Sequence, residues 1–299
     1  MLDGESARAV PAGTEVALTV DDLPAHAPLP PGATRLGIAT RMIEALISHG
    51  AHGTVGFVNG AAVDGHPEHE AILRAWDDAR LPLGNHTFSH LDLRKVSAAE
   101  YLADVERNDL FLASGSAASA RRYFRYTYLA EGDTVSKRNA VRAWLAGRGY
   151  AIVPVTIDVE DWAWNDAYAA CASRGDTAAV ERLKPAFLAA ARAELAWSVE
   201  LAARLFGGPI KHVLLLHIGA FTALVLDELL RSCRAAGVTL IGIETALQDP
   251  VYRIDPSVVS PRGYTFLAQV ARTRRVAPPA RPARLLPTVP RSGAIAPGS

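Results

Sequence analysis

Short β-branched runs alternate with longer alanine-rich stretches whose apolar residues recur at helical spacing, from residue 15 almost to residue 245. The runs predict strands near 15–20, 53–58, 82–86, 122–127, 151–158, 212–217 and 238–243. Between them the helical pattern falls near 35–49, 68–80, 98–113, 134–147, 177–206 and 222–236, with Gly50, Gly147 and Gly237 as stop signals. Strand and helix in strict alternation imply a parallel sheet with crossover helices. Seven strands with six intervening helices predict an α/β barrel, incomplete or distorted, rather than an open doubly wound sheet. No glycine-rich phosphate loop follows the first strand, which argues against nucleotide binding. The stretch 165–211 is longer than a crossover needs and predicts an extra helix or a lid over one barrel end.

Composition sharpens the domain picture. With 299 residues, 49% of them hydrophobic, the chain can bury a barrel-sized core. We read 1–14 as an N-terminal extension, 15–272 as the barrel with its insertion near 165–211, and 273–299 as a tail. Pro278, Pro279, Pro282, Pro287, Pro290 and Pro297 preclude regular helix in that tail, and its arginines keep it solvated or lying over the surface. The 31 basic and 31 acidic residues cancel, so charge suggests no nucleic-acid partner, and no apolar run approaches a membrane span. Cys171 and Cys233 are too few for a disulfide scaffold and read as buried thiols. The opening residues lack the basic start and apolar centre of a secretory leader.

Chemistry gathers at the predicted strand ends, where parallel barrels carry their active groups. The first run closes on Asp21-Asp22, adjacent carboxylates that repel unless a cation held by one relieves the charge and leaves the other free as a base. The third ends at His86-Thr87-Phe88-Ser89-His90; imidazoles four apart on a helical turn would face one side and could share a metal with Asp22. Arg125-Tyr126-Thr127-Tyr128, Asp158 through Trp162, and His217 end three more strands. Singly, each has an ordinary explanation: a polar turn, two solvated imidazoles, a strand-end arginine, a core histidine. Asp158 receives no role, and His26, His49, His52, His66 and His69 read as solvated.

These five segments, in this order, resemble the five motifs of the polysaccharide deacetylases of carbohydrate esterase family 4, over about 15–245. Thr19-Val20-Asp21-Asp22 is similar to the first, His86 through His90 to the second, Arg125 through Tyr128 to the third. Asp158 through Trp162 fits Asp-x-x-Asp-Trp, and Leu214 through His217 fits Leu-x-Leu-His. The resemblance implies a distorted (β/α)7 barrel and one divalent ion on Asp22, His86 and His90, zinc first, with cobalt, nickel or manganese also accepted. It implies Asp21 as general base held by Arg125, His217 as general acid held by Asp161, and the Tyr128 N–H on the oxyanion. Trp162, with Tyr128, would line an apolar wall for the substrate. Leu23 and Leu129 stand where the family carries glycine and Thr127 where it carries proline. Those changes would narrow the opening and loosen the loop that aims Tyr128.

The sequence thus predicts a metal-dependent hydrolase removing N-acetyl groups from poly- or oligosaccharides. An amidase or cyclic-amide hydrolase on a small non-sugar substrate and a catalytically silent carbohydrate-binding homologue are the alternatives. The resemblance favours export or a cell-envelope role; oligomeric state is not readable.

Overall fold

In the computed structural model, which describes residues 9–24, 26–114 and 122–282, every strand pairing is parallel. The chain runs β1 (Glu15–Leu23), α1 (Arg35–Ser48), β2 (Val55–Val58), α2 (Pro67–Asp78), β3 (Leu83–Asn85), α3 (Ala98–Ser114), β4 (Tyr123–Phe124) and α4 (Val135–Gly147). It continues through β5 (Ala151–Ile152), β6 (Ile157–Asp158), α5 (Trp162–Ser173), α6 (Thr177–Phe206), β7 (His212–His217) and α7 (Ala220–Ala235). It ends with β8 (Thr239–Ile241), α8 (Ile243–Leu247) and α9 (Phe266–Arg274). The sheet order is β5-β4-β3-β2-β1-β7-β6, with β8 beside the first residues of β1. This is an α/β fold, a distorted (β/α)7 barrel.

The distortion has a local cause. The stretch 151–158, read from sequence as one strand, is two short ones separated by a segment containing Pro154, which has no N–H to give a ladder. Val153 N donates to Phe124 O at 2.8 Å, and Thr156 N to Val213 O at 3.0 Å. Within four residues the chain therefore leaves the β4 edge and joins the β7 edge.

Side-chain alternation decides what reaches the barrel interior. Ala17, Val55, Phe57, Tyr123, Val153 and Val213 meet inside the sheet. Val16, Leu18, Val20, Leu214 and Leu216 face outward and pack on helix residues such as Met42, Leu226 and Leu229. Counting in twos from the inward set brings Asp21, Arg125 and His217 to inward positions at the C-terminal strand ends. Gly84 is also inward, since a Cβ there would lie 2.6 Å from the Phe57 ring, and two residues on comes His86.

The long insertion is a helix pair, and its first member is an additional helix rather than a lid. Trp164 of α5 stacks on Phe221 of α7 with ring centres 5.8 Å apart and meets Phe187 of α6 edge-on at 5.4 Å. Asn165 Oδ1 accepts from Phe221 N at 2.8 Å, and Gly219 leaves the space that this side chain fills. Beyond α9, Trp197 of α6 donates its indole N–H to Pro279 O at 3.0 Å, and Arg281 pairs with Glu194 at 3.0 Å. This first part of the proline-rich tail therefore lies along α6. The first eight residues of the expected extension and the tail from 283 fall outside the described residues. Cys171 and Cys233 are buried and free, and among the described residues no helix is long and apolar enough to cross a membrane.

Because Trp164 joins three helices through buried ring contacts, Trp164→Ala is expected to lower unfolding stability by about 3–5 kcal/mol. Urea titration measures this, and a loss well under 1 kcal/mol would show that α5 packs only peripherally.

Candidate functional site

A pocket of about 920 Å³ opens at the C-terminal rim, and Asp21, Asp22, His86, His90, Tyr128, Asp158, Trp162 and His217 all line it. Asp21 and Asp22 are neighbours in β1, so a regular strand would send them to opposite faces. Asp22 instead adopts a left-handed φ of 66°, and both carboxylates lie within reach of His86 Nε2: Asp21 Oδ2 at 3.7 Å and Asp22 Oδ1 at 3.5 Å.

His90 Nε2 lies 3.2 Å from the same Asp22 Oδ1, and ligand atoms of Asp22, His86 and His90 all fall within 4.8 Å of one another. Asp22 Oδ1 is buried and makes no hydrogen bond among the described residues. An anionic oxygen facing two imidazole nitrogens fits a shared cation. The far sides of the rings are tied down. His86 Nδ1 meets the Arg125 carbonyl at 2.9 Å, so the proton sits on Nδ1 and Nε2 carries the lone pair; His90 Nδ1 meets Tyr128 Oη at 3.2 Å. Two imidazoles and a carboxylate suit zinc, cobalt, nickel or manganese alike.

Arg125, buried inside the barrel, places Nη1 3.6 Å from Asp21 Oδ2 and donates from Nη2 to Thr19 Oγ1 at 2.9 Å. Its guanidinium also lies 4.8 Å over the Phe57 ring. Burial draws the Arg125 pKa down, against the charges of Asp21 and Asp158. Across the pocket, Asp161 is buried and fully engaged: Oδ1 meets His217 Nδ1 at 2.8 Å, while Oδ2 accepts from His217 N at 2.8 Å and Thr222 Oγ1 at 2.7 Å. Burial alone would lower the His217 pKa, but the charge of Asp161 and its hydrogen bond, with Asp22 and Asp21 behind, raise it to about 10. For Asp22, burial pushes upward, yet the facing imidazoles of His26, His86 and His90 and the charge of His217 hold it well below the usual carboxylate value.

Several sequence expectations change here. Residues 86–90 form no helical turn; Thr87 and His90 take φ of 65° and 54°, and these bends bring the two rings to 5.2 Å. Leu23 does not narrow the rim, because it points into the outer core and fills the space left by Gly56. Nor does Thr127 loosen its loop: its hydroxyl is buried against the Leu91 carbonyl, and Tyr264 N holds Leu129 O at 3.2 Å. Tyr128, Leu129 and Glu160 are also left-handed, at 57°, 51° and 52°. His49 is buried and hydrogen-bonds Asp227 at 2.8 Å, and His69 Nδ1 meets the Ala62 carbonyl at 2.6 Å; His52 and His66 are exposed as expected.

His26 is the residue that sequence reasoning missed. Far from being solvated, it lines the pocket and sets Nδ1 2.9 Å from Asp22 Oδ2. Its spacing of four from Asp22 was a signal in the sequence, hidden because the intervening Leu23-Pro24 suggests a turn rather than a shared face. Asp158, left without a role, lies at the pocket wall, where its Oδ1 accepts from Glu160 N at 3.0 Å and burial raises its pKa.

Fold and site together define an α/β barrel protein with a rim pocket in which carboxylates, imidazoles and a buried histidine–aspartate pair converge. Residues 9–144 match the polysaccharide deacetylase family model. A chitin deacetylase of Arthroderma benhamiae is 27% identical over 121 residues, which is 40% of this chain but only 31% of that protein's length. A family 4 carbohydrate esterase from Streptomyces lividans, solved with acetate, superposes with TM-score 0.50 at 20% identity, covering 79% of this chain and 97% of that one. A Bacillus cereus polysaccharide deacetylase gives 0.53 at 18% identity, covering 77% and 91%. A mutant of a Bacillus anthracis pseudoenzyme of the same family, with restored activity, gives 0.52 at 19%, covering 80% and 69%. At such identities the structural likeness is one of fold. Asp158, Asp161, Trp162 and His217 lie beyond the family match, and their place in the site rests on the distances given above.

Since Asp161 leads the groups that raise the His217 pKa, Asp161→Asn should move the imidazole titration downward from about 10. An NMR titration of the ring protons reads it directly, and an unmoved midpoint would assign the shift to another group.

Proposed function

We propose that the chain is a divalent-metal-dependent hydrolase that removes N-acetyl groups from carbohydrate, poly- or oligosaccharide. One observation carries this reading: the Asp22, His86 and His90 cluster and His217, held from behind by Asp161, face the same pocket. The family match and the chitin deacetylase relative support an N-acetylated saccharide as the substrate class. Asp22, His86 and His90 would hold the ion, zinc first. Bound there, it supplies Lewis acidity to the acyl carbonyl and makes the attacking water more acidic.

The chain's own groups divide the proton work. Asp21 Oδ1, buried and without a hydrogen bond among the described residues, takes a proton from water as oxygen adds to the carbonyl carbon. Arg125 holds the other Asp21 oxygen and keeps the carboxylate ionised and aimed. The Tyr128 N–H donates to the oxyanion as charge develops there. His217, cationic on Asp161, gives its proton to the nitrogen as the C–N bond breaks, so the amine leaves neutral and acetic acid is released. Trp162 and Tyr128, exposed at the mouth, offer apolar faces to the sugar and acyl group.

Mass analysis of products from N-acetylated oligosaccharides, with and without chelator, tests the reading. Acetate loss that stops with chelator and returns with added metal is expected. Hydrolysis of simple acetamides with none from chitin oligomers would instead identify an amidase, and ion binding without turnover a silent binding protein. Asp21→Asn should keep the ion and lose turnover, whereas Asp22→Ala should lose the ion; equal metal loss in both would undo the division of roles.

The pH dependence has a definite sign. His217 must carry its proton, so kcat/KM falls as pH rises through the His217 pKa, and Asp161 places that alkaline limb well above the ordinary histidine value of 6.5. His217→Ala should remove the limb and slow N-acetyl amide hydrolysis by about 10²–10⁴-fold. An activated aryl acetate, whose leaving group needs no proton, should lose far less; equal losses on both substrates would exclude His217 as the acid.

A further inference from the structure

We propose that His26 is a positioning residue for Asp22, fixing which carboxylate oxygen the site offers to its ion; this rests on the metal-site reading above. The Asp22 carboxylate has two distinct sides. Oδ1 faces His86 Nε2 at 3.5 Å and His90 Nε2 at 3.2 Å, and Oδ2 accepts from His26 Nδ1 at 2.9 Å. A free aspartate rotates about its terminal torsion and can present either oxygen, or both. The hydrogen bond to Oδ2 selects one orientation.

His26 is itself held on two sides. Its carbonyl accepts from Arg35 Nη1 of α1 at 3.1 Å, and its ring lies 5.3 Å from the His217 ring at a 40° tilt. The imidazole therefore stands between the wall carrying the ligand cluster and the wall carrying the Asp161–His217 pair.

The other two members of the cluster have the same construction. His86 is steadied through Nδ1 by the Arg125 carbonyl and His90 through Nδ1 by the Tyr128 hydroxyl, leaving both Nε2 atoms for the ion. His26 supplies the corresponding support for the third member. With it, every group in the cluster has its remaining polar atom occupied by a fixed partner, the arrangement that orients ligands and raises affinity.

The test is zinc affinity of the full chain, measured by competition with a chromophoric chelator, together with the visible absorption of the cobalt-loaded protein. His26→Phe should weaken zinc binding about 10–100-fold, the usual cost of losing such a partner, and should alter the cobalt spectrum. His26→Gln, which keeps an N–H donor, should recover both to within a few-fold, separating the hydrogen bond from a general effect on folding. Unchanged affinity and spectrum in His26→Phe would overturn the proposal, as would a glutamine variant as weak as the phenylalanine one. If the native chain binds zinc but releases no acetate, the deacetylase reading fails while the affinity ratio still decides the role of His26. A native chain that binds no zinc removes the metal site and this role together.

Discussion

Two carboxylates on consecutive residues must share one pocket, and the surrounding architecture answers that electrostatic constraint. At contact distances in a poorly solvated site, their repulsion is far larger than in water. The chain separates their environments. Asp21 stays in register with β7, opposite His217, and looks inward to Arg125. Asp22 leaves the strand geometry and turns to three histidines. One carboxylate is thereby matched to a fixed guanidinium and the other to imidazoles that face both of its oxygens.

The opposite wall solves a different problem by the same means. A buried imidazolium is costly, and Asp161 offsets that cost through Oδ1 on the ring, while its Oδ2 is fixed by the His217 backbone N–H and the Thr222 hydroxyl. The loops between the walls are clamped from outside the barrel. Arg94 donates to Pro261 O at 3.0 Å, and Phe266 N to Val155 O at 2.7 Å. Gly263 sits so close to the Tyr128 carbonyl that any Cβ would collide with it. The segment between α8 and α9 thus holds the loop carrying Tyr128 in place.

Much of this was readable because the chemistry stands at predicted strand ends, in five segments whose order resembles a known set, and the strand period agrees with it. A strand of alternating residues tells which side chains go inward, and Asp21, Arg125 and His217 followed that rule. The residues that broke expectation lie where the backbone leaves regular geometry. His26 follows a turn, so no period pointed it at Asp22. Leu23 was read as a rim residue because position relative to the aspartates was visible, whereas the packing partner, Gly56, was 33 residues away. The break within 151–158 needed knowledge of two different neighbouring strands, and Pro154 alone could not supply it. The link between Thr127 and Leu91 likewise joins two loops whose approach is purely tertiary.

Seven non-glycine residues at this rim, Asp22, Ala27, Thr87, His90, Tyr128, Leu129 and Glu160, hold left-handed backbone. Each such conformation costs an L-residue about 1–2 kcal/mol, and Thr87, being β-branched, is among the least suited to it. Left-handed backbone is therefore concentrated at the rim, with Arg80, Ser257 and Arg275 as the further non-glycine cases among the described residues. This reverses the usual logic of making a protein sturdier. Glycine, normally a weakening substitution, would relieve strain at these positions, but it would also free the backbone that aims the side chains. The barrel could become harder to unfold while its pocket lost definition, so durability and chemical competence pull the same few residues in opposite directions.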